Sequence, residues 1–252
     1  MLKRGNKLKI TYIHHSSFLV ELDFVNFLFD YYRGDIPTMD SEKPLIVFAS
    51  HAHGDHFSKK IFELASSHER IQYILSDDID EKKVPDNCKD KVLFVGAGEQ
   101  FTNRTFFQNN IEKKENRIEI ETFQSTDEGV AFWITCEGKT IYHAGDLHFW
   151  FWRGEAQAWN QEMKRRYCEE IDKLNGRHAD VAFLVLDPRR GSDFYLGVNE
   201  FVKRVEVDHI IPMHCWGEYS IIQKMKSHSC AVTYKDRIAV IQREGETLEW
   251  SS

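Results

Sequence analysis

The stretch "SHAHGDHF" at residues 50–57 constrains this chain more than any other, because it places three histidines and an aspartate directly after the apolar run "PLIVFA". Two histidines at i and i+2 of an extended segment project to the same side, and Gly54 is expected to let the backbone turn and bring Asp55 and His56 back beneath them. Imidazole nitrogens and a carboxylate then converge at the end of a buried strand. Zinc and similar borderline metals favour that ligand set. A polar turn with incidental histidines is the plainer alternative, but four clustered ligand side chains at one strand end speak for a site.

The surrounding chain supplies the sheets such a strand requires. Strand-like segments fill the first half ("LKITYIHHSSFLVEL", "VNFLFDY", "PLIVFAS", "QYILS", "KVLFVGAG", "RIEIETF", "VAFWITC", "KTIYHAG"), and Glu137-Gly138 reads as a tight hairpin turn between the last two. Helical pieces are expected at "SKKIFELASSHE", with Ser58 as N-cap, at "EAQAWNQEMKRRYCEEIDKLNG", ending at Gly176, and at "NEFVKRV" and "EYSIIQKMKSH". "VAFLVLD", "HIIPM" and "RIAVIQ" read as further strands. Hairpins mixed with β-helix-β passages suggest layered sheets with helices outside, in an α+β arrangement. With 252 residues, 42% hydrophobic and 29% charged, the chain is expected to form a single domain over 1–252.

The formal charge of -7 opposes non-specific binding to nucleic acid, and "KRR" at 164–166 reads as part of a charge-laced helix face. The longest apolar runs are too short to span a bilayer, and "MLKRGNKLKI" lacks the apolar core of a signal peptide, so a cytoplasmic location without membrane insertion is expected. Five cysteines without Cys-x-x-Cys spacing suggest free thiols.

A metal needs ligands from elsewhere in the chain. "IYHAGD" ends a strand at Asp146 and "HIIPMHCW" ends one at His214, where loops gather at one face of a sandwich. In these motifs and their order the chain resembles the metallo-β-lactamase superfamily, and within it the branch of ascorbate-6-phosphate lactonase and N-acyl phosphatidylethanolamine-hydrolysing phospholipase D. The resemblance runs over nearly the whole chain, with "YIHHSSFLVE" as the first hairpin and Asp30 ending a strand. It implies a four-layer αββα sandwich with metals in a cleft between the upper edges of the sheets. It further implies a first metal position with His51, His53 and Asp146, and a second with Asp55, His56, Asp146 and His214. The expected cofactor is Zn2+, one or two per chain, with Mn2+ or Fe2+ as alternatives.

The family places a further histidine where this chain has "IETFQSTDEGVAF", which contains none; Ser125 or Thr126 lies nearest, with Asp127 and Glu128 behind. Three readings follow. One metal occupies the second position; or two bind with water, Ser125 or a nearby carboxylate in the gap; or another histidine substitutes, His148 in "GDLHFW" being best placed. Asp55 and His148 are thus the candidate catalytic residues, with Asp55 orienting a water or accepting its proton.

The reaction expected is hydrolysis of an ester, lactone or phosphodiester in a small molecule, anionic or partly apolar. A homo-oligomer stays open. "LHFWFW" at 147–152 and Trp216 could wall an apolar pocket or simply pack on the sandwich, and Arg189 and Arg190 could grip an anion or form a solvated turn. His14, His15 and His143 read as structural. The competing function is a non-catalytic module that binds metal and ligand on the same fold; a nuclease is disfavoured by net acidity, and a redox di-iron role by the incomplete ligand set.

Overall fold

The computed structural model describes residues 7–105 and 117–251, so the first six residues of the basic start lie outside the described residues. One mixed sheet contains β1 (Lys7–His14), β2 (Ser17–Glu21), β3 (Asn26–Phe29), β4 (Leu45–Ala49), β5 (Ile71–Ser76) and β6 (Val92–Val95). The other contains β7 (Gln100–Thr102), β8 (Ile118–Gln124), β9 (Val130–Cys136), β10 (Lys139–His143), β11 (His178–Val185) and β12 (Glu206–Met213). A last strand, β13 (Thr247–Ser251), returns to the first sheet, whose order is β13-β1-β2-β3-β4-β5-β6; the second runs β12-β11-β10-β9-β8-β7. Each sheet is antiparallel at one side and parallel at the other, and the parallel strands β4, β11 and β12 run toward the edge where the histidines and aspartates gather.

Alternation explains the layering. In the first sheet Ile10, Phe18, Phe27, Phe29 and Phe48 face the second sheet, where Phe18 meets Phe183 at 4.6 Å and Phe48 meets Phe132 at 5.0 Å between ring centroids. The intervening residues Leu19, Leu28, Val47 and Tyr73 face outward, into a second cluster closed by Ile61 and Phe62. Strands buried on both faces read as continuous apolar runs, which is why "PLIVFA" shows no polar alternation. The two sheets thus form a metallo-β-lactamase αββα sandwich, with α1 (Gln157–Asp172), α2 (Leu196–Val202) and α3 (Ser220–Ser227) covering the second sheet and its ends.

Several local expectations need correction. "SKKIFELASSHE" is 3-10 helical over Lys59–Ser66, with Ser58 Oγ accepting the Lys60 N–H as expected of its cap. "RIAVIQ" forms no strand; Ile238 makes only an isolated bridge to Ile210. "TLEWS" does form one, by pairing with β1. The Glu137-Gly138 turn is a two-residue hairpin with both residues left-handed, φ 54° and 72°, as the twist of such a hairpin requires.

Candidate metal centre

The turn after β4 works differently from the sequence expectation. The His53 carbonyl accepts the N–H groups of His56 and Phe57, each at 3.0 Å, and folds His56 back until its ring lies 4.1 Å from that of His51. Gly54 has no positive φ, and a Cβ there would meet nothing within 4 Å, so this turn does not need glycine. The glycines the site does need are Gly129 and Gly145. A Cβ on Gly129 would lie 1.9 Å from the Ser50 carbonyl oxygen, and one on Gly145 would lie 2.7 Å from Ser50 Cβ. Their bare backbones bring the edge of the second sheet against Ser50, where the Val130 N–H donates to the Ser50 carbonyl at 2.9 Å.

Four side chains from three strand ends meet over that edge. His56 Nε2 is 3.4 Å and His214 Nε2 3.6 Å from Asp146 Oδ1, and both lie 4.0 Å from Asp55 Oδ2. His51 Nε2 stands 3.9 Å from Asp146 Oδ2. Ligand atoms around a tetrahedral metal with bonds of about 2.0–2.1 Å are separated by roughly 3.4 Å, so these spacings suit an ion. The chemistry of the donors agrees. His51 Nε2, His56 Nε2 and Asp146 Oδ1 are buried without a hydrogen-bond partner among the described residues, a costly state unless something else binds them.

The other nitrogen of each ring explains why Nε2 is bare. Asp30, fully buried at the end of β3, accepts Ser50 N–H and Oγ–H, each at 2.7 Å, and His56 Nδ1–H, also at 2.7 Å. Ser50 Oγ in turn takes the His51 Nδ1–H at 3.0 Å, and Asp187 takes the His214 Nδ1–H at 3.0 Å. With Nδ1 donating, each ring offers a lone pair at Nε2. Burial lowers the pKa of all three imidazoles, that of His51 to about 3, and keeps them neutral. Burial and the neighbouring carboxylates Asp127 and Asp55 drive the Asp146 pKa well up, so a cation is needed there to keep it ionised. Burial also pushes Asp55 upward, but the neighbouring His15 and His56 imidazoles outweigh it and hold its carboxyl below the usual range.

The remaining expected residues stand apart. His53 is about half exposed and faces Glu128 Oε2 at 3.3 Å and Asp127 Oδ2 at 3.9 Å, outside the gathered ligand atoms. Ser125 and Thr126 are occupied by the loop: Ser125 Oγ accepts the Asp127 N–H, while Thr126 Oγ accepts the His148 N–H at 2.9 Å and donates to its carbonyl at 2.6 Å. His148 does not fill the gap. Its ring packs on Gly197 of α2, where an added Cβ would lie 2.2 Å away, and touches Trp150 and Tyr167 rather than the cluster.

Three participants escaped the sequence. His15 gathers with Asp55, His56 and His214, its Nε2 3.4 Å from Asp55 Oδ2 and its ring 4.0 Å from that of His214. Its φ of 54° lies in the left-handed region, as do those of Asp30, His214 and Trp216; this follows from tertiary packing and leaves no local signal. Asp30 entered as a strand end without a role. Asp187 follows β11 by two residues in "LVLD", and the strand-end signal that singled out Asp146 could have found it. The cleft above has a volume of about 330 Å³ and includes Trp150, Trp152, Trp216 and Arg189, so part of the aromatic run walls it. Neither arginine is a plain solvated turn residue. Arg189 clasps Asp187 through Nε and Nη2, and Arg190 is buried against Trp152.

Known proteins bear on this geometry. Residues 9–155 match the family model described as Beta-lactamase superfamily domain. A UPF0173 metal-dependent hydrolase of Alkaliphilus metalliredigens is 27% identical over 222 residues, covering 82% of this chain and 85% of that protein. Among solved structures, the metallo hydrolase Igni18 of Ignicoccus hospitalis aligns with a TM-score of 0.60 at 20% identity over 98% of this chain and 99% of its own. A putative metal-dependent hydrolase of Parabacteroides distasonis aligns with a TM-score of 0.60 at 17% identity over 96% of both chains.

Proposed function

The chain belongs to the β-lactamase superfamily domain family, and from that premise we propose that it is a metal-dependent hydrolase of a small-molecule ester, lactone or phosphodiester. One observation carries the reading: bare Nε2 atoms and an unpartnered Asp146 oxygen converge at the floor of a cleft. Asp55, His56, Asp146 and His214 would hold one ion. His51, Asp146 and His53 would hold a second, with Asp127 as the carboxylate nearest the position the family gives to histidine. Zn2+, Mn2+ or Fe2+ bound there would lower the pKa of a water molecule and polarise an acyl or phosphoryl oxygen.

The chain's own residues supply the rest. Asp55, partly exposed to the cleft and held ionised beside His15, orients the attacking water and accepts its proton. Asp30 and Asp187 fix the imidazoles that face it. His148, behind Trp150, is left out of the chemistry. We read the chain as one domain, since both sheets share a single hydrophobic cluster, and as a cytoplasmic protein; among the described residues no helix is long and apolar enough to cross a membrane. Within the lactonase and phospholipase branch, a cleft of about 330 Å³ suits the small lactone-type substrate better than a diacyl lipid.

The test is metal analysis of protein purified without chelator, joined to a screen of bis-p-nitrophenyl phosphate and lactones with Zn2+ and Mn2+. About one to two equivalents of metal and turnover abolished by Asp55→Ala or His56→Ala are expected. Less than about half an equivalent would sink the metal reading. Because His53 turns toward Asp127 and Glu128, a second reading has substance: full metal occupancy without turnover of any substrate would mark a binding module.

A further inference from the structure

Four of the six tryptophans in the chain, Trp150, Trp152, Trp159 and Trp216, line the cleft beside the metal centre. Trp159 and Trp216 are 37% and 45% exposed, two of the three well-exposed large hydrophobic side chains among the described residues. An indole wall with acidic groups nearby ordinarily suits a quaternary ammonium, held by the ring faces. Here the faces of Trp152 and Trp216 are already in use. Arg190, 3% exposed and absent from the cleft lining, places its guanidinium carbon 4.1 Å from the Trp152 ring and 5.7 Å from that of Trp150. Its Nε, Nη1 and Nη2 find no hydrogen-bond partner among the described residues, so the rings are its main company. Arg189, which does line the cleft, sits 4.6 Å from the Trp216 ring and 5.9 Å from that of Trp152.

A guanidinium on one face of an indole draws π density toward itself and leaves the other face a poorer seat for a second cation. A ligand cation in the cleft would also lie against Arg189. A flat aromatic ring suffers neither penalty and gains from ring–ring contact. Resting on the hydrolase reading, we propose that this wall seats the aromatic ring of a neutral or anionic ester or lactone beside the metal centre, and rejects quaternary ammonium groups. The arginine pair is thereby a specificity device: Arg190 acts from behind Trp152 and Arg189 from within the cleft. The small volume of the cleft limits the occupant to a single ring with a short substituent.

Binding to the Zn2+-loaded chain, measured by calorimetry and by tryptophan fluorescence, tests this without requiring turnover. The probes are phenylacetate, hexanoate and choline. Phenylacetate is expected to bind about tenfold tighter than hexanoate and to quench the fluorescence, while choline binds more weakly than either. Trp159→Ala, at an exposed helix position where folding is not at stake, and Trp152→Ala should each erase the preference for phenylacetate over hexanoate while metal content stays constant. Arg190→Met should raise choline affinity. Choline binding as tightly as phenylacetate, or phenylacetate affinity unmoved by both tryptophan variants, would overturn the proposal. Failure of the hydrolase reading is seen separately, as absence of phenyl ester and lactone turnover with the aromatic preference intact.

Discussion

Asp55, His56, Asp146 and His214 on one side, and His51 with His53 on the other, converge on the same cleft in different circumstances. In the first group each imidazole is braced by a carboxylate from another strand end, His56 by Asp30 and His214 by Asp187. His51 is braced more lightly, through the Ser50 hydroxyl. His53 has no buried brace; its partners Asp127 and Glu128 are, like it, about half exposed. The difference teaches that spacing in the sequence brings ligand types together, whereas a metal position is made by the groups that fix the far side of each ring.

The comparison can be broken most violently at its shared member. Asp146→Ala should empty both positions, lowering hydrolysis by about 10³-fold or more and bound metal to a trace, read by turnover and elemental analysis. If it retains a full equivalent, the two halves do not share that carboxylate. Next in size is the seam beneath them: Gly129→Ala should cost about 3 kcal/mol in denaturant unfolding, whereas Gly54→Ala, within the motif itself, should stay within about 0.5 kcal/mol. The braces come third. Asp30→Asn and Asp187→Asn should each weaken metal binding by about 10–100-fold in chelator competition, and His53→Ala by less than about tenfold. An equal loss in His53→Ala would make the two halves alike.

A pH measurement sharpens the picture from below. His143 donates Nε2–H to the Ser16 carbonyl and accepts the Gly145 N–H at Nδ1, and burial lowers its pKa from the ordinary 6.5. Below that pH the unfolded chain takes up a proton that the native state refuses, so stability is intact above pH 6.5 and falls as the pH drops through it. The chelated protein should lose Tm between about pH 7 and 5, with a shallower slope in His143→Leu.

Much of the site was legible because it is built from strand ends. "SHAHGDHF", "IYHAGD" and "HIIPMHCW" each carry ligand types straight after apolar residues, and the fold delivers all three to one edge. What escaped depends on long-range packing. His15 reaches the cluster because β1 ends in a left-handed residue, and Arg190 is buried by tryptophans 38 and 40 residues earlier in the chain, Trp152 and Trp150. Neither fact has a local pattern. "RIAVIQ" carries strand-like residues without a neighbour to pair with, while "TLEWS" acquires its strand from β1, a partner at the opposite end of the sequence.

That last pairing reaches further than the sheet edge. Tyr12 exchanges backbone hydrogen bonds with Glu246 and Gly245, each at 2.9 Å, just before the chain turns to His15, and the Tyr12 hydroxyl accepts the His15 N–H at 2.8 Å. The segment leading into the final strand therefore tethers the chain just before the cleft's histidine corner. Deuterium uptake at the Tyr12 amide becomes a clock for how often that corner comes apart, readable without any turnover.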